Sequence, residues 1–282
     1  MGRWRLILDL EGRRGAWNMA ADEMLFRAAE DGRTDGPVLR LYAWDPPCLS
    51  IGYHQHMQET CDRSYCSENG IDVVRRPTGG KAVLHADELT YSVVARQDLA
   101  PFSGLSLMDT YGLISKALAE GLKTAGLDVS FGGRGLPLSP KGGAPCFLLP
   151  SENEITVGGR KVVGSAQLRG GRAFLQHGAI PLRLNYEALA LASSQPVDHA
   201  ASYRRAFAGV AELRPEITRS SLAGAVASGF RNVFEGPWEE RALDEEERDL
   251  THGLEHERYG TAERTRGGQQ RSGRTGERGN GG

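Results

Sequence analysis

The chain has 282 residues, of which 39% are hydrophobic and 25% charged, and its formal net charge is -2. This balance is that of a globular protein, and it excludes a broadly basic nucleic-acid binder and a wholly disordered chain. Because no apolar run approaches the roughly 18 residues that cross a bilayer, and the N-terminus does not resemble a signal peptide, we expect a cytoplasmic protein with no membrane or nucleic-acid partner.

The N-terminal part alternates strand-like and helix-like segments, which hydrophobic periodicity separates. We predict strands at 3–10, 38–44, 48–53 and 71–76, and helices at 18–32, 58–69 and 109–126. Asn18 is the predicted N-cap of the first helix, because its side chain can accept a hydrogen bond from the first turn. The strand-like segments 81–85 and 88–95 are separated by two residues, which predicts a hairpin.

Beyond residue 126, glycine and proline divide the chain into short pieces. Residues 131–145 are too rich in both for a regular element, so they predict a loop that leads to Cys146. Three short strands are expected within 154–182, joined at Gly158–Gly159 and at Gly170–Gly171.

From about residue 185 the pattern is helical, including 218–234, with an acidic run at 239–249. The end of the chain, 263–282, is rich in glycine and arginine and has no apolar residue, so it predicts a disordered tail. Strands in both halves, several of them in hairpin register, predict an α+β fold. We expect a mixed, largely antiparallel central sheet flanked by helices.

One candidate for chemistry is the segment 75–95, RRPTGGKAVLHADELTYSVVA. The Gly79–Gly80 turn would let backbone N–H groups approach a ligand closely, with Arg75, Arg76 and His85 around it. The alternative is a tight hairpin with solvated arginines. The spacing is not that of a P-loop.

Cys146, which follows the glycine-rich loop, is the second candidate, and Lys161, which follows the Gly158–Gly159 turn, is the third. A free thiol with a pKa near 8.5 is only about 3% thiolate at pH 7, and a nearby ammonium group would lower that pKa. The alternatives are a buried, inert cysteine, which we expect for Cys48, Cys61 and Cys66, and an ordinary surface lysine.

The histidines give weaker signals. His177 precedes Gly178 at a strand end, where a histidine can simply satisfy a backbone partner. No set of histidine, cysteine and acidic residues has metal-ligand spacing, so we expect no metal.

Together these segments resemble the cysteine-dependent octanoyltransferases of lipoate biosynthesis, in the lipoate/biotin protein ligase-like superfamily. The motifs, in family order, are NMAADE (18–23), LSIGYHQ (49–55), RRPTGGKAVLHADELTYSV (75–93), APCF (144–147), GRKVVGSAQ (159–167) and LQHGAIPL (175–182). The GRGRxGR fingerprint of biotin ligases is missing, which argues against biotin. The resemblance implies a single acyltransferase catalytic domain over 1–262, with its core at about 15–235.

The resemblance implies transfer of octanoyl from octanoyl-acyl carrier protein to a lysine of a lipoyl-domain protein. Such acceptors include the glycine cleavage H protein and 2-oxoacid dehydrogenase E2 subunits. Cys146 would form an octanoyl thioester, and Lys161 would lower its pKa and stabilise the oxyanion. Exchange of one thioester for another followed by amide formation requires neither ATP nor another cofactor.

The resemblance also implies the binding residues. Backbone N–H groups of Gly79 and Gly80 would line the acyl carbonyl site, and the walls of the octanoyl pocket would include Arg75, Ala82, Val83 and His85. Because acyl carrier proteins and lipoyl domains are usually acidic, Arg63, Arg75 and Arg76 are candidates for steering them.

Three alternatives stay open. The first is an ATP-dependent lipoate or octanoate ligase, in which Lys161 contacts the phosphate and carbonyl of an acyl-adenylate and Cys146 is incidental. The second is an amidotransferase that moves octanoyl between carrier proteins with the same cysteine chemistry. The third is a non-catalytic module that binds acyl-carrier or lipoyl domains.

Overall fold

A computed structural model of the chain describes residues 2–132 and 153–260. Within these ranges the helices are α1 (Gly15–Glu30), α2 (Met57–Thr60), α3 (Arg63–Glu68), α4 (Leu107–Thr124), α5 (Tyr186–Ala192), α6 (His199–Ala206), α7 (Val210–Leu213), α8 (Arg219–Val233) and α9 (Glu245–Leu254), with a π-helical segment at Glu255–Tyr259. The strands are β1 (Trp4–Arg13), β2 (Val38–Trp44), β3 (Cys48–Ile51), β4 (Asp72–Arg75), β5 (Val83–His85), β6 (Glu88–Arg96), β7 (Val129–Phe131), β8 (Ile155–Val157), β9 (Arg160–Lys161), β10 (Gly164–Arg169), β11 (Ala173–Pro181) and β12 (Trp238–Glu240).

The described strands form three sheets. The main sheet has six strands in the order β10-β11-β6-β2-β1-β12, antiparallel from β10 to β2 and parallel from β2 to β12. The second sheet has the order β4-β3-β5, and the third has the order β7-β8-β9. The prediction of an α+β fold with a mixed, largely antiparallel central sheet is confirmed, and the two small sheets are additional to it.

Strand β6 lies at the centre of the main sheet and is buried along almost its whole length. Because successive strand residues point to opposite faces, Leu89, Tyr91 and Val93 enter the large core beside α4 and α8. Val94 packs on the opposite face against α1, which is also the face of Ser92, whose hydroxyl donates to Asp22 of that helix. The α1 side of the sheet thus receives the polar residues of β6.

The predicted hairpin of 81–85 and 88–95 is wrong. Strand β5 pairs antiparallel with β3, with His85 opposite Cys48, whereas β6 pairs with β11 and β2. Ala86 and Asp87 carry the chain from the second sheet to the main sheet. A short connection indicates a hairpin only when both strands belong to one sheet, and β6 is buried on both faces by neighbours distant in sequence.

Three local predictions also need correction. Helix α1 begins at Gly15, so Asn18 is not the N-cap; its buried Nδ2 donates to the carbonyl of Ala43 at 2.9 Å. The helix predicted at 58–69 is divided into α2 and α3, and Asp62 caps the second. Strand β12, within the region predicted to be helical, pairs parallel with β1.

The turns predicted at Gly158–Gly159 and Gly170–Gly171 join β8 to β9 and β10 to β11, and β8 to β11 make four strands where three were expected. Most of the predicted loop 131–145 and the whole predicted tail 263–282 lie outside the described residues. In the described ranges, no helix combines the length and the apolar character that crossing a membrane requires.

Candidate active site

A narrow cavity lies between the α1-facing side of the main sheet and the second sheet. Its walls combine apolar side chains with a cluster of polar groups. The lining residues are Met19, Tyr42, Trp44, Ser50, Arg76, Val83, His85, Thr90, Gly164, Ser165, Ala166, His177, Gly178 and Ala179.

Small residues on β10 and β11 shape one wall. A Cβ added at Gly178 would lie 2.4 Å from the carbonyl oxygen of Gly164 and 2.8 Å from the Tyr91 ring. Glycine at this position therefore allows the close approach of the two strands beside the cavity.

The Gly79–Gly80 turn packs against the loop after β3. Gly80 has φ +91°, a conformation that glycine adopts at no steric cost. A Cβ on Gly52 would lie 2.0 Å from the carbonyl oxygen of Gly80, and the N–H of Tyr53 donates to the carbonyl of Thr78 at 2.9 Å. The glycines of two separate sequence motifs thus meet in one backbone contact.

Arg76 holds this turn from inside the protein. Its guanidinium donates to the carbonyl oxygens of Gly79 at 2.8 Å, Lys81 at 2.7 Å and Ser50 at 3.1 Å. Only 4% of the residue is exposed. The expectation that Arg76 steers an acidic partner is therefore wrong, because its charge is enclosed by backbone carbonyls.

Arg75 anchors the neighbouring loop. Its guanidinium donates to the carbonyl oxygens of Gly52 at 3.0 Å, Tyr53 at 3.0 Å and Gln55 at 2.8 Å. Burial lowers the pKa of Arg75. Among the residues that the structure describes, Val83 and His85 of the predicted binding set line the cavity, whereas Arg75, Gly79, Gly80 and Ala82 do not.

His177 on β11 joins α1 to the Gly79–Gly80 turn. Its Nδ1 is 3.1 Å from Oδ2 of Asp22, and its Nε2 is 2.7 Å from Oγ1 of Thr78. Asp22 is fully buried and accepts hydrogen bonds from Arg40 at 3.1 Å, Tyr42 at 2.9 Å and Ser92 at 2.8 Å.

This network sets the charges of its members. Burial would raise the pKa of Asp22, but the hydrogen bond from His177 and the charge of Arg40 outweigh it, so the pKa lies below its ordinary value. Burial lowers the pKa of His177 despite the contact with Asp22. At neutral pH, an ionised carboxylate therefore faces a neutral imidazole.

His85 on β5 has a similar environment. Its Nδ1 is 2.8 Å from Oε1 of Glu88, its Nε2 is 2.8 Å from Oγ of Ser50, and its ring stacks on Trp44 with centroids 4.0 Å apart. Thr90 donates to the same Glu88 oxygen and accepts from the Trp44 indole at 2.7 Å. His85 therefore contributes both to the cavity wall and to a closed hydrogen-bonded network.

Lys161 lies on β9, after a Gly158–Gly159 turn in which both residues have positive φ. Its Nζ is 2.7 Å from Oε1 of Glu154, and the two side chains are only 11% and 7% exposed. The ammonium group is thus held by a largely buried carboxylate, three residues before the cavity-lining strand β10.

Cys146 lies outside the described residues, so its position relative to Lys161 stays a prediction. The other cysteines are buried, as expected. Burial raises the pKa of the Cys48 thiol, and the sulfur atoms of Cys61 and Cys66 lie 4.0 Å apart. In residues 2–132 and 153–260, no three histidine, cysteine or acidic side chains are grouped to hold a metal ion.

Sequence reasoning missed several site residues, above all the acidic ones. Asp22 and Glu88 lie within quoted motifs, NMAADE and HADE, but their pairing with His177 and His85 depends on the sheet order. Glu154 lies just outside any motif. Its only signal was its place seven residues before Lys161, across a glycine turn.

Comparison with known proteins identifies the family. The sequence model of the lipoyl protein ligase A/B catalytic domain family matches residues 14–231. Octanoyltransferase LipM of Carboxydothermus hydrogenoformans is 40% identical over 271 residues, covering 93% of this chain and 98% of that protein. Octanoyltransferase LipM of Kyrpidia tusciae is 39% identical over 265 residues, covering 90% and 95%.

Solved structures give the same fold. A crystal structure of lipoate-protein ligase A bound with ATP has a TM-score of 0.76 and 26% identity, covering 93% of this chain and 98% of that one. A bipartite lipoate protein ligase from Thermoplasma acidophilum has a TM-score of 0.77 and 25% identity, covering 96% and 98%. Because the octanoyltransferases are similar to this chain over nearly their whole length, the chain belongs to the lipoyl protein ligase A/B catalytic domain family, as one of its octanoyltransferases.

Proposed function

We propose that this octanoyltransferase takes octanoyl from octanoyl-acyl carrier protein and passes it to a lysine of a lipoyl-domain protein, through a thioester on Cys146. The cavity carries this proposal. Met19, Trp44 and Val83 give it apolar walls, and its buried histidines and hydroxyls are already hydrogen-bonded to one another. Such a slot suits a saturated acyl chain, which brings no polar group of its own except at the carbonyl.

The chemistry consists of two acyl transfers. In the first, the Cys146 thiolate attacks the carbonyl of the donor thioester, and the tetrahedral oxyanion collapses with release of the carrier's thiolate. In the second, the amine of the acceptor lysine attacks octanoyl-Cys146, forms an amide and releases the Cys146 thiol. Covalent catalysis lets two protein substrates use one site in turn, and no ATP is consumed.

Lys161 is proposed to act on both steps. Its ammonium would stabilise the Cys146 thiolate before attack and the oxyanion after it. The contact with Glu154 supports this role, because a largely buried carboxylate holds the ammonium group in place.

The binding roles follow from the cavity and the glycine turn. Val83 and His85 would contact the octanoyl chain, and backbone N–H groups of Gly79 and Gly80 would bind its carbonyl. Arg75 and Ala82 would act without lining the cavity. The glycine cleavage H protein and E2 subunits of 2-oxoacid dehydrogenases are the proposed acceptors, with the reaction confined to one catalytic domain, 1–262.

Intact-protein mass spectrometry tests the proposal. The purified enzyme is mixed with octanoyl-acyl carrier protein, without ATP or acceptor, beside Cys146→Ala and the control Cys61→Ala. We expect an octanoyl adduct on the wild type and on Cys61→Ala, and none on Cys146→Ala. An adduct that survives Cys146→Ala would assign the thioester to another residue.

The likeness to a lipoate-protein ligase bound with ATP makes an ATP-dependent ligase the second candidate. The same enzyme is therefore given free octanoate, ATP and a lipoyl domain. Acceptor octanoylation in this mixture, with no adduct from octanoyl-acyl carrier protein, would establish the ligase. An adduct formed only from an octanoylated H protein would establish an amidotransferase.

A further inference from the structure

Two separate hydrogen-bonded chains end on one arginine beside the cavity. The first runs from Asp22 through His177 to Thr78, whose Oγ1 is 3.2 Å from Nε of Arg76. The second runs from Glu88 through His85 to Ser50, whose Oγ is 3.1 Å from a terminal nitrogen of Arg76.

The direction of each bond follows from its ends. The Arg76 guanidinium has only donors and an ionised carboxylate has only acceptors. Each hydroxyl that accepts from Arg76 is therefore free to donate to Nε2 of its histidine, and each histidine donates from Nδ1 to its carboxylate. With the hydroxyls as donors, both histidines are neutral, with the proton on Nδ1. Burial, which lowers the pKa of His177, agrees with this assignment.

The two chains also fix the shape of the glycine turn. Arg76 donates to the carbonyls of Gly79 and Lys81, so its orientation determines where the intervening peptide groups lie. Thr78 and Ser50 hold the guanidinium from two different edges, and each is itself held by a histidine. A donor in the wrong place, such as a proton on Nε2, would oppose the hydroxyl hydrogen and loosen this arrangement.

We propose that His177 and His85 are positioning residues for acyl transfer: as neutral Nδ1–H tautomers they fix Thr78 and Ser50, and through Arg76 they hold the Gly79–Gly80 turn ready for the acyl carbonyl. The role of the turn rests on the proposed function, whereas the tautomers and the hydrogen-bond directions do not. Neither histidine exchanges a proton with the substrate.

Nuclear magnetic resonance of the resting, full-length enzyme tests the tautomers without any substrate. Two-bond ¹H–¹⁵N correlation spectra at pH 7 report the protonation state of each of the 7 histidines, and His85→Gln and His177→Gln variants assign the two signals. We expect Nδ1–H, neutral rings at both positions. A ring protonated at Nε2, alone or in addition to Nδ1, would overturn the proposal.

The functional part is tested at Thr78, which is fully buried. Thr78→Val keeps the shape of the side chain but removes the hydroxyl, and Thr78→Ser keeps the hydroxyl. We expect Thr78→Val to lower the maximal rate of octanoyl-adduct formation about tenfold, with an unchanged KM for the carrier protein, because one hydrogen bond of the turn is lost. Thr78→Ser should stay within about twofold of the wild type.

The outcomes separate this inference from the proposed function. If the wild type forms no adduct, the thioester mechanism fails, and the tautomer result still decides the hydrogen-bond directions. If the wild type and Thr78→Val react equally fast, the positioning role is wrong, although the thioester mechanism stands. A second pair of variants, His177→Gln and His177→Asn, controls for a loss of rate that comes from impaired folding. Only the longer glutamine can reach Thr78, so equal rates in this pair would also contradict the positioning role.

Discussion

The two regions proposed to act on the acyl group are built in different ways. The network around Asp22 collects side chains from α1, β2, β6 and β11, so its partners lie 18 to 155 residues away in the chain. The Lys161–Glu154 pair joins residues only seven positions apart, across a single turn of a small sheet. The binding half of the site is therefore tied to the core of the fold. The ion pair of Lys161, which is proposed to stabilise the thiolate and the oxyanion, lies within one local hairpin.

This difference predicts that the largest loss of stability comes from the first region and the largest loss of rate from the second. The largest loss of stability is expected for Arg40→Met. Arg40 is fully buried and bonds both Asp22 and Asp9, so its removal leaves the buried Asp22 carboxylate without its cation at a cost of about 3–5 kcal/mol. Urea unfolding measures the change. Arg33→Met, which removes an exposed ion pair with Asp31, is the control and should change little.

Lys161→Met sharpens the comparison in the second region. We expect the rate of octanoyl-adduct formation to fall about 100-fold, as when one oxyanion donor is removed. The variant also leaves Glu154 buried without its partner, which lowers stability. The double variant Lys161→Met/Glu154→Gln should recover stability in thermal unfolding without recovering the rate. Recovery of both would reduce Lys161 to a structural residue.

The fold and the site could be predicted to different extents. Motif order and hydrophobic periodicity were sufficient for the fold class, the family and most elements. Where the prediction failed, as in the β5–β6 hairpin, strand partners are chosen by burial on both faces of β6, which adjacency in sequence does not report. The same limit hid the roles of His177 and Arg76, because their partners Asp22 and Ser50 come from other elements.

Two glycine substitutions compare the cavity wall with an exposed position of α8. In Gly178→Ala the added Cβ would approach the carbonyl oxygen of Gly164 to 2.4 Å, so β10 and β11 must move apart. We expect a loss of about 1–3 kcal/mol in the free energy of unfolding, as for other overpacked sites. Gly224→Ala in α8 meets no atom within 4 Å and should gain about 1 kcal/mol from helix propensity. If the two variants changed the free energy of unfolding equally, β10 and β11 would accommodate the added methyl group without cost.

The smallest expected effect concerns the pH dependence of stability, and it arises in the network around Asp22. Burial lowers the pKa of His177 in the folded state, so between that value and the ordinary histidine pKa of about 6.5 the unfolded chain binds more protons. Stability is then fully present above about pH 6.5 and falls as the pH decreases toward the folded value. Below about pH 4, Asp22, whose folded pKa also lies under its ordinary value, extends the loss in the same direction.

His177→Gln removes the first of these two contributions, and the second lies below the pH range from 7.5 to 5. The midpoint of thermal unfolding, followed from pH 7.5 to pH 5, should therefore decrease less in His177→Gln than in the wild type. His252→Gln is the control, because the His252 side chain is 65% exposed and pairs with Glu255 rather than with Asp22, and its profile should follow that of the wild type. Parallel profiles of His177→Gln and the wild type would show that folding does not lower the pKa of His177.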